Sequence, residues 1–203
     1  MKIATSFLSS NNIPKDLKKL NDTDVDFIHV DIMDGKFVKN KTKSFTDIYK
    51  YTSKRLDIHL MVEHPKKDII SYSLLNVDTI SIHVEIKDKI DELIDLIHGY
   101  GIKAGLAISP GTNVDELDKY LDKIDKVLIM SVVPGEGGQE FLMDTIDRIN
   151  LIKEKTSNKN ILLEVDGGIN NITKDYCNGV DILVSGSYVL SSDNFEEQIN
   201  SLR

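Results

Sequence analysis

The sequence predicts a single α/β domain, a closed TIM (β/α)8 barrel spanning residues 1–203. Three observations carry that reading. Short apolar, β-branched segments recur through the chain, each followed by an amphipathic or turn-rich stretch, and nothing between them has the composition of a linker. The polar residues that break the apolar runs fall at the carboxyl ends of many strands, as a barrel requires, and not at one switch point. An open nucleotide-binding sheet would place G-x-G-x-x-G after its first strand, whereas this chain runs "LSSNNIP" there, with no glycine.

Eight strands are expected: "KIATSF" (2–7), "DFIHVDI" (26–32), "LDIHLM" (56–61), "TISIHV" (79–84), "KAGLAI" (103–108), "KVLIMSV" (126–132), "ILLEVD" (161–166) and "DILVSG" (181–186). They lack a clean polar alternation, which suits parallel strands covered by helices. Between them, Ile86, Ile90, Leu93, Ile94 and Ile97 share one helix face, and Gly99 or Gly101 ends that helix. Asn113 is an expected N-cap with Glu116 in the capping-box position. The stretch "EFLMDTIDRINLIKEKT" repeats apolar residues at 142, 146, 149 and 152, and "NNITKDYCNG" has room only for a short helix.

Composition narrows the function. Hydrophobic residues at 40% and charged residues at 29% suit a soluble globular domain. A formal charge of −8 with no Lys/Arg cluster excludes a nucleic-acid partner, because a phosphate backbone needs a basic face. Apolar runs are strand-sized, so no membrane span is expected. "MKIATSFLSSNN" lacks the h-region of a signal peptide, and the single cysteine, Cys177, has no partner for an internal disulfide. The expected compartment is therefore the reducing cytoplasm. Cys177 reads as an ordinary helix residue, since no neighbouring group would lower its pKa.

The candidate chemistry begins with "FIHVDIMDG" (27–35). Alternate strand residues share a face, so Ile28, Val30 and Ile32 point to the helices while His29, Asp31 and Met33 point into the barrel. His59 and Met61 repeat the arrangement, and Asp166 stands at the tip of "ILLEVD". A lone histidine on an apolar strand is ordinarily a hydrogen-bonded core residue. Two imidazoles with two carboxylates at matching strand ends instead suit a divalent metal of borderline character, such as Zn, Fe or Mn. His83 reads as a supporting or structural residue, and His64 and His98 as solvated. Glu164 needs a partner inside the barrel, for which Lys103 is the candidate. Glycine loops "PGEGGQ" (134–139), "DGG" (166–168) and "SGS" (185–187) follow the last three strands, where barrels place phosphate sites. Met33, Met61 and Met130, all at strand ends, could form a soft apolar bed for a planar intermediate.

These residues resemble the ribulose-phosphate 3-epimerase family. The similarity runs through "IATSFLS", "FIHVDIMDGKFVKN", "DIHLMVEHP", "VLIMSVVPGEGGQ", "LEVDGGIN" and "DILVSGS", in the family's order and across essentially the whole chain. It implies one divalent metal held by His29, Asp31, His59 and Asp166, no organic cofactor, and a homo-oligomer. Asp31 and Asp166 would be the two acid/base groups, moving the C3 proton of a ketose phosphate through a metal-stabilised ene-diolate. Ser6, His59, Met33, Met61 and Met130 would lie against the substrate, and Gly137, Gly138, Gly167, Gly168, Gly186 and Ser187 would hold its phosphate. The implied reaction interconverts D-ribulose 5-phosphate and D-xylulose 5-phosphate.

Several positions depart from the family pattern: Thr5 and Lys39 replace prolines, Val133 an asparagine and Glu136 a phenylalanine, while "KNKTKS" replaces a more apolar stretch. They keep open a related 3-epimerase acting on allulose 6-phosphate, and a metal- or phosphate-binding barrel without activity. A sugar-phosphate decarboxylase is disfavoured, because the third strand offers His59 where such enzymes resemble a D-x-K-x-x-D pattern.

Overall fold

A computed structural model describes residues 1–43 and 45–203. Eight parallel strands close into a barrel in sequence order, β1 pairing with both β2 and β8. The strands are β1 (Lys2–Ser6), β2 (Phe27–Met33), β3 (Arg55–Met61), β4 (Val77–His83), β5 (Lys103–Ile108), β6 (Lys126–Met130), β7 (Leu162–Asp166) and β8 (Ile182–Val184). Around them lie α1 (Ile13–Asn21), α2 (Lys66–Tyr72), α3 (Ile90–Gly99), α4 (Thr145–Thr156), α5 (Ser187–Leu190) and α6 (Phe195–Ser201). Among the described residues no helix is long and apolar enough to cross a membrane.

The helices begin where local chemistry satisfies their free N–H groups. The Asn12 side chain accepts from Lys15 N–H at the start of α1, and Pro14 supplies a preset φ in its first turn. In α3, Ile90, Leu93, Ile94 and Ile97 are buried as the spacing predicts, with Asp91 and Glu92 at the positive end. Ile86 is also buried but lies before that helix, and Gly101 takes the left-handed conformation just beyond it.

Two expected elements differ. Asn113 caps as predicted, but it opens a 3-10 helix, Val114–Leu117, and Glu116 pairs with Lys119 and takes no part in a capping box. The buried residues Val114, Leu117 and Tyr120 recur every third position, the period of a 3-10 helix. The helix expected from residue 142 starts at Thr145. Leu142 N–H is drawn to Ser131 O (2.8 Å) at the end of β6, which leaves its side chain exposed. The stretch before β8 forms the expected short helix, of 3-10 type at Thr173–Tyr176. Cys177 follows it in the core, where burial pushes its thiol up to about 12.

Strand parity sorts the side chains as predicted. Ile28, Val30 and Ile32 join the large apolar core. Inside the barrel, Ala4, Phe27, Ile182 and Val184 form an apolar cluster, with Phe27 and Ile182 the first residues of their strands. Beyond that cluster the interior is charged. The fully buried Lys126 ammonium contacts the carboxyl groups of both Asp57 and Glu164. This corrects the expected Lys103–Glu164 pair: Lys103 opens β5 at the rim, 43% exposed, and turns to Asp78 at 3.3 Å. Gly105 makes room for the lysine, since a Cβ there would stand 3.3 Å from Lys126 Cε and 2.4 Å from Ser81 Oγ. Burial and the charge of Asp57 push Glu164 up to about 8, so Lys126 is balanced chiefly by ionised Asp57.

Removing one member of a buried charged set leaves the others without compensation. Lys126→Ala is therefore expected to lower unfolding free energy by about 3–5 kcal/mol, read by urea denaturation. A midpoint within error of wild type would show that the buried carboxyls do not depend on it.

Candidate active site

β2, β3 and β7 deliver four side chains able to ligate a metal to the carboxyl end of the barrel. His29 Nε2 lies 3.4 Å from Asp31 Oδ1 and 3.7 Å from Asp166 Oδ2, while His59 Nδ1 lies 3.1 Å and 3.8 Å from the same two oxygens. One donor atom from each of the four residues falls within 4.8 Å of the others. Both histidines are fully buried, whereas Asp166, with its side chain 16% exposed, meets the cleft above.

Hydrogen bonding shows that this donor set fits a cation. His29 Nδ1 is 2.7 Å from Asp57 Oδ2, so in the neutral ring it carries the proton. The lone pair then resides on Nε2, a buried atom with no hydrogen-bond partner. Between two carboxylates that nitrogen needs a positive charge, supplied by a proton in the metal-free ring and by a cation once the proton leaves. Nitrogen and oxygen donors in this number suit a borderline divalent ion.

The two carboxylates sit in different surroundings. Burial raises Asp31, but the positive charge of His29 and contacts with both imidazoles outweigh it and hold the group well below the usual carboxylate range. Ser6 Oγ donates to Asp31 Oδ2 at 2.7 Å and orients it. Asp166 is pushed up to about 7, by burial first, with His29 opposing and Asp31 adding to the rise.

The cleft over these residues is lined by the other expected side chains. Ser6, Met33, Met61 and Met130 line it, together with Gly137, Gly138, Gly167, Gly168, Gly186 and Ser187. Gly167 and Gly168 both have positive φ (122° and 63°), and a Cβ at Gly168 would meet Phe141 N at 2.5 Å. Only glycine lets the two loops come together there. Glu136 and Val133 are exposed; Glu136 sits at the cleft rim, and both line a neighbouring cavity with Lys39.

His83 stands directly behind His59, with 2.9 Å between their Nε2 atoms, and its Nδ1 is 2.9 Å from Glu85 Oε2. The sequence reading does not single out Asp57, Lys126 or Glu85. Asp57 carries a usable signal, since it shares the inward face of "LDIHLM" with His59. His64 and His98 lie outside the site, paired with Asp88 and Asp125 at exposed positions.

A closed parallel barrel with a cluster of buried histidines and carboxyl groups at its carboxyl end has the architecture of the TIM-barrel enzymes. The profile of the ribulose-phosphate 3 epimerase family matches residues 2–190. Ribulose-phosphate 3-epimerase of Buchnera aphidicola subsp. Baizongia pistaciae is 40% identical, covering 99% of this chain and 93% of its own. That of Helicobacter pylori J99 is 36% identical, covering 100% and 97%. The chain belongs to the ribulose-phosphate 3-epimerase family and is an epimerase, an isomerase enzyme. Among solved structures, KGPDC from Streptococcus mutans superposes with a TM-score of 0.71 at 12% identity, covering 99% of this chain and 94% of that one, a likeness of fold.

A metal entering this candidate site would displace protons. Asp166 is protonated below about 7, and Asp31 and Asp57 hold the proton on His29 well above its usual range against the effect of burial. Affinity for Zn²⁺ is thus expected to fall as pH drops from about 8 to about 6, with proton release on binding. Calorimetry in buffers of different ionisation enthalpy reads both; pH-independent affinity without proton release would contradict the ligand set.

Proposed function

We propose that this epimerase interconverts D-ribulose 5-phosphate and D-xylulose 5-phosphate, with Asp31 and Asp166 as its two proton-transfer groups. The observation that carries the reading is that two carboxyls from strands β2 and β7 meet in one cleft with their proton affinities driven apart. In the metal-free site one is ionised and the other holds a proton near neutrality, and two carboxyls of unequal proton affinity in one cleft are what acid/base chemistry at one carbon uses. Because the two share one site, their titration belongs to the pair.

Inverting the configuration at C3 means taking a proton from one face and returning one to the other. Asp31, oriented by Ser6, takes or gives the proton on its side of the cleft, and Asp166 does the reverse on the other. Neither needs the substrate to turn over. His29, Asp31, His59 and Asp166 would hold one divalent ion, with Zn, Fe and Mn all compatible with the donors. Such an ion supplies Lewis acidity that lowers the energy of the ene-diolate formed when C3 loses its proton. Met33, Met61 and Met130 offer a polarisable, water-excluding surface to its flat face. Backbone N–H groups of the loops at Gly137–Gly138, Gly167–Gly168 and Gly186–Ser187 would bind the phosphate without a charged side chain.

Incubation with ribulose 5-phosphate in D2O should exchange the C3 proton, followed by NMR. No exchange with any of the three ions would end this reading, and much faster exchange with allulose 6-phosphate would reassign the substrate. Asp166→Asn should lower turnover by about 10²–10⁴-fold or more, and a near-normal rate would remove Asp166 from its role.

A further inference from the structure

Behind His59 a chain of buried polar groups leads away from the cleft. His59 Nε2 faces His83 Nε2 at 2.9 Å, and both rings are fully buried. Of two opposed imidazole nitrogens, one must donate and the other accept. His83 Nδ1 lies 2.9 Å from Glu85 Oε2. The other oxygen, Glu85 Oε1, accepts from Ser109 N–H and Thr112 Oγ1, each at 2.7 Å. That turn is fixed in place by Arg148 of α4, which donates to Thr112 O at 2.7 Å and Ser109 O at 2.9 Å. Phe37 covers the His83 ring, with centroids 4.6 Å apart.

Each link dictates the next. A carboxylate only accepts, so Glu85 Oε2 requires the proton on His83 Nδ1. The neutral His83 ring then has a lone pair on Nε2 and must accept from His59 Nε2–H. A neutral His59 with its proton on Nε2 turns the Nδ1 lone pair toward Asp31 and Asp166; Asp31 Oδ1, 3.1 Å away and also only an acceptor, makes the opposite demand until a cation stands between them. The opposite tautomer would put Nδ1–H there and leave His59 no nitrogen lone pair for a cation.

We propose that Glu85 is a remote positioning residue, selecting through His83 the His59 tautomer whose Nδ1 can ligate the metal. The inference rests on the metal-centre reading above and adds to it the group that prepares one of its ligands. Glu85 does not reach the ion; it acts by the direction of two hydrogen bonds.

The anchoring turn makes the test directional. In Glu85→Gln, the Ser109 N–H can be met only by the amide oxygen, so the amide NH2 faces His83 Nδ1. The introduced amide would then reverse both hydrogen bonds and place a proton on His59 Nδ1. Affinity for Co²⁺, read by titration with competing chelator, is expected to fall about 10- to 100-fold, the range for partners of metal-bound histidines. Glu85→Ala imposes neither tautomer and should fall less. A packing role demands the reverse order, because glutamine keeps the shape and the Ser109 contact that alanine loses. In ¹⁵N-histidine spectra, His83 should carry its proton on Nδ1 in wild type and on Nε2 in Glu85→Gln. Wild-type affinity in Glu85→Gln, an alanine variant weaker than glutamine, or Nε2 protonation of wild-type His83 would each overturn the proposal. If wild type bound no metal, the metal-centre reading would fall, while the His83 spectra would still decide the relay. Should Glu85→Gln not fold, the wild-type spectrum decides it in the same way.

Discussion

The contact between the Lys126 ammonium and the carboxyl groups of Asp57 and Glu164 lets this barrel keep a charged interior. A closed parallel barrel must fill its inside with alternate residues from every strand, and apolar side chains usually do so. Here Ala4, Phe27, Ile182 and Val184 fill part of it in that way. Another part holds carboxyl groups that could not stay ionised there without a partner. One lysine, seated in space left by Gly105, supplies the positive charge. Asp57 then remains a carboxylate and binds Nδ1 of His29 from below.

That arrangement is repeated from the side. Asp57 commits the outer nitrogen of His29, and Glu85 commits that of His59 through His83. In both rings the remaining nitrogen faces the same pair of carboxylates, Asp31 and Asp166. Lone pairs and anionic oxygens brought together in a dry pocket repel one another until protons, or a cation in their place, join them. The same surroundings separate the proton affinities of the two carboxylates, which is the property proton transfer at carbon uses. The proposed metal binding and acid/base function thus share one physical origin, the depth at which the polar groups are held.

The strands, their parity and the mouth residues are legible in the sequence because strand periodicity is local. "FIHVDIMDG" alone says which side of β2 is polar, and a second polar strand end nearby identifies a site. The supporting charges are harder to read. Asp57 and Lys126 are separated by 69 positions and meet only across the closed barrel, so no spacing rule links them. Lys103 is the natural candidate for Glu164 until the structure places it at the rim beside Asp78. Helix type fails for a related reason: Val114, Leu117 and Tyr120 fit a helical pattern, but the three-residue period and a tight turn give a 3-10 helix.

The central claim is that two imidazole nitrogens are set in advance to receive a metal beside two carboxylates. X-ray absorption spectroscopy of the protein loaded with one equivalent of Zn²⁺ reads that shell directly. The expected spectrum has two imidazole scatterers at about 2.0–2.1 Å together with carboxylate oxygens. A first shell made only of oxygen, with no imidazole outer-shell pattern, would contradict it.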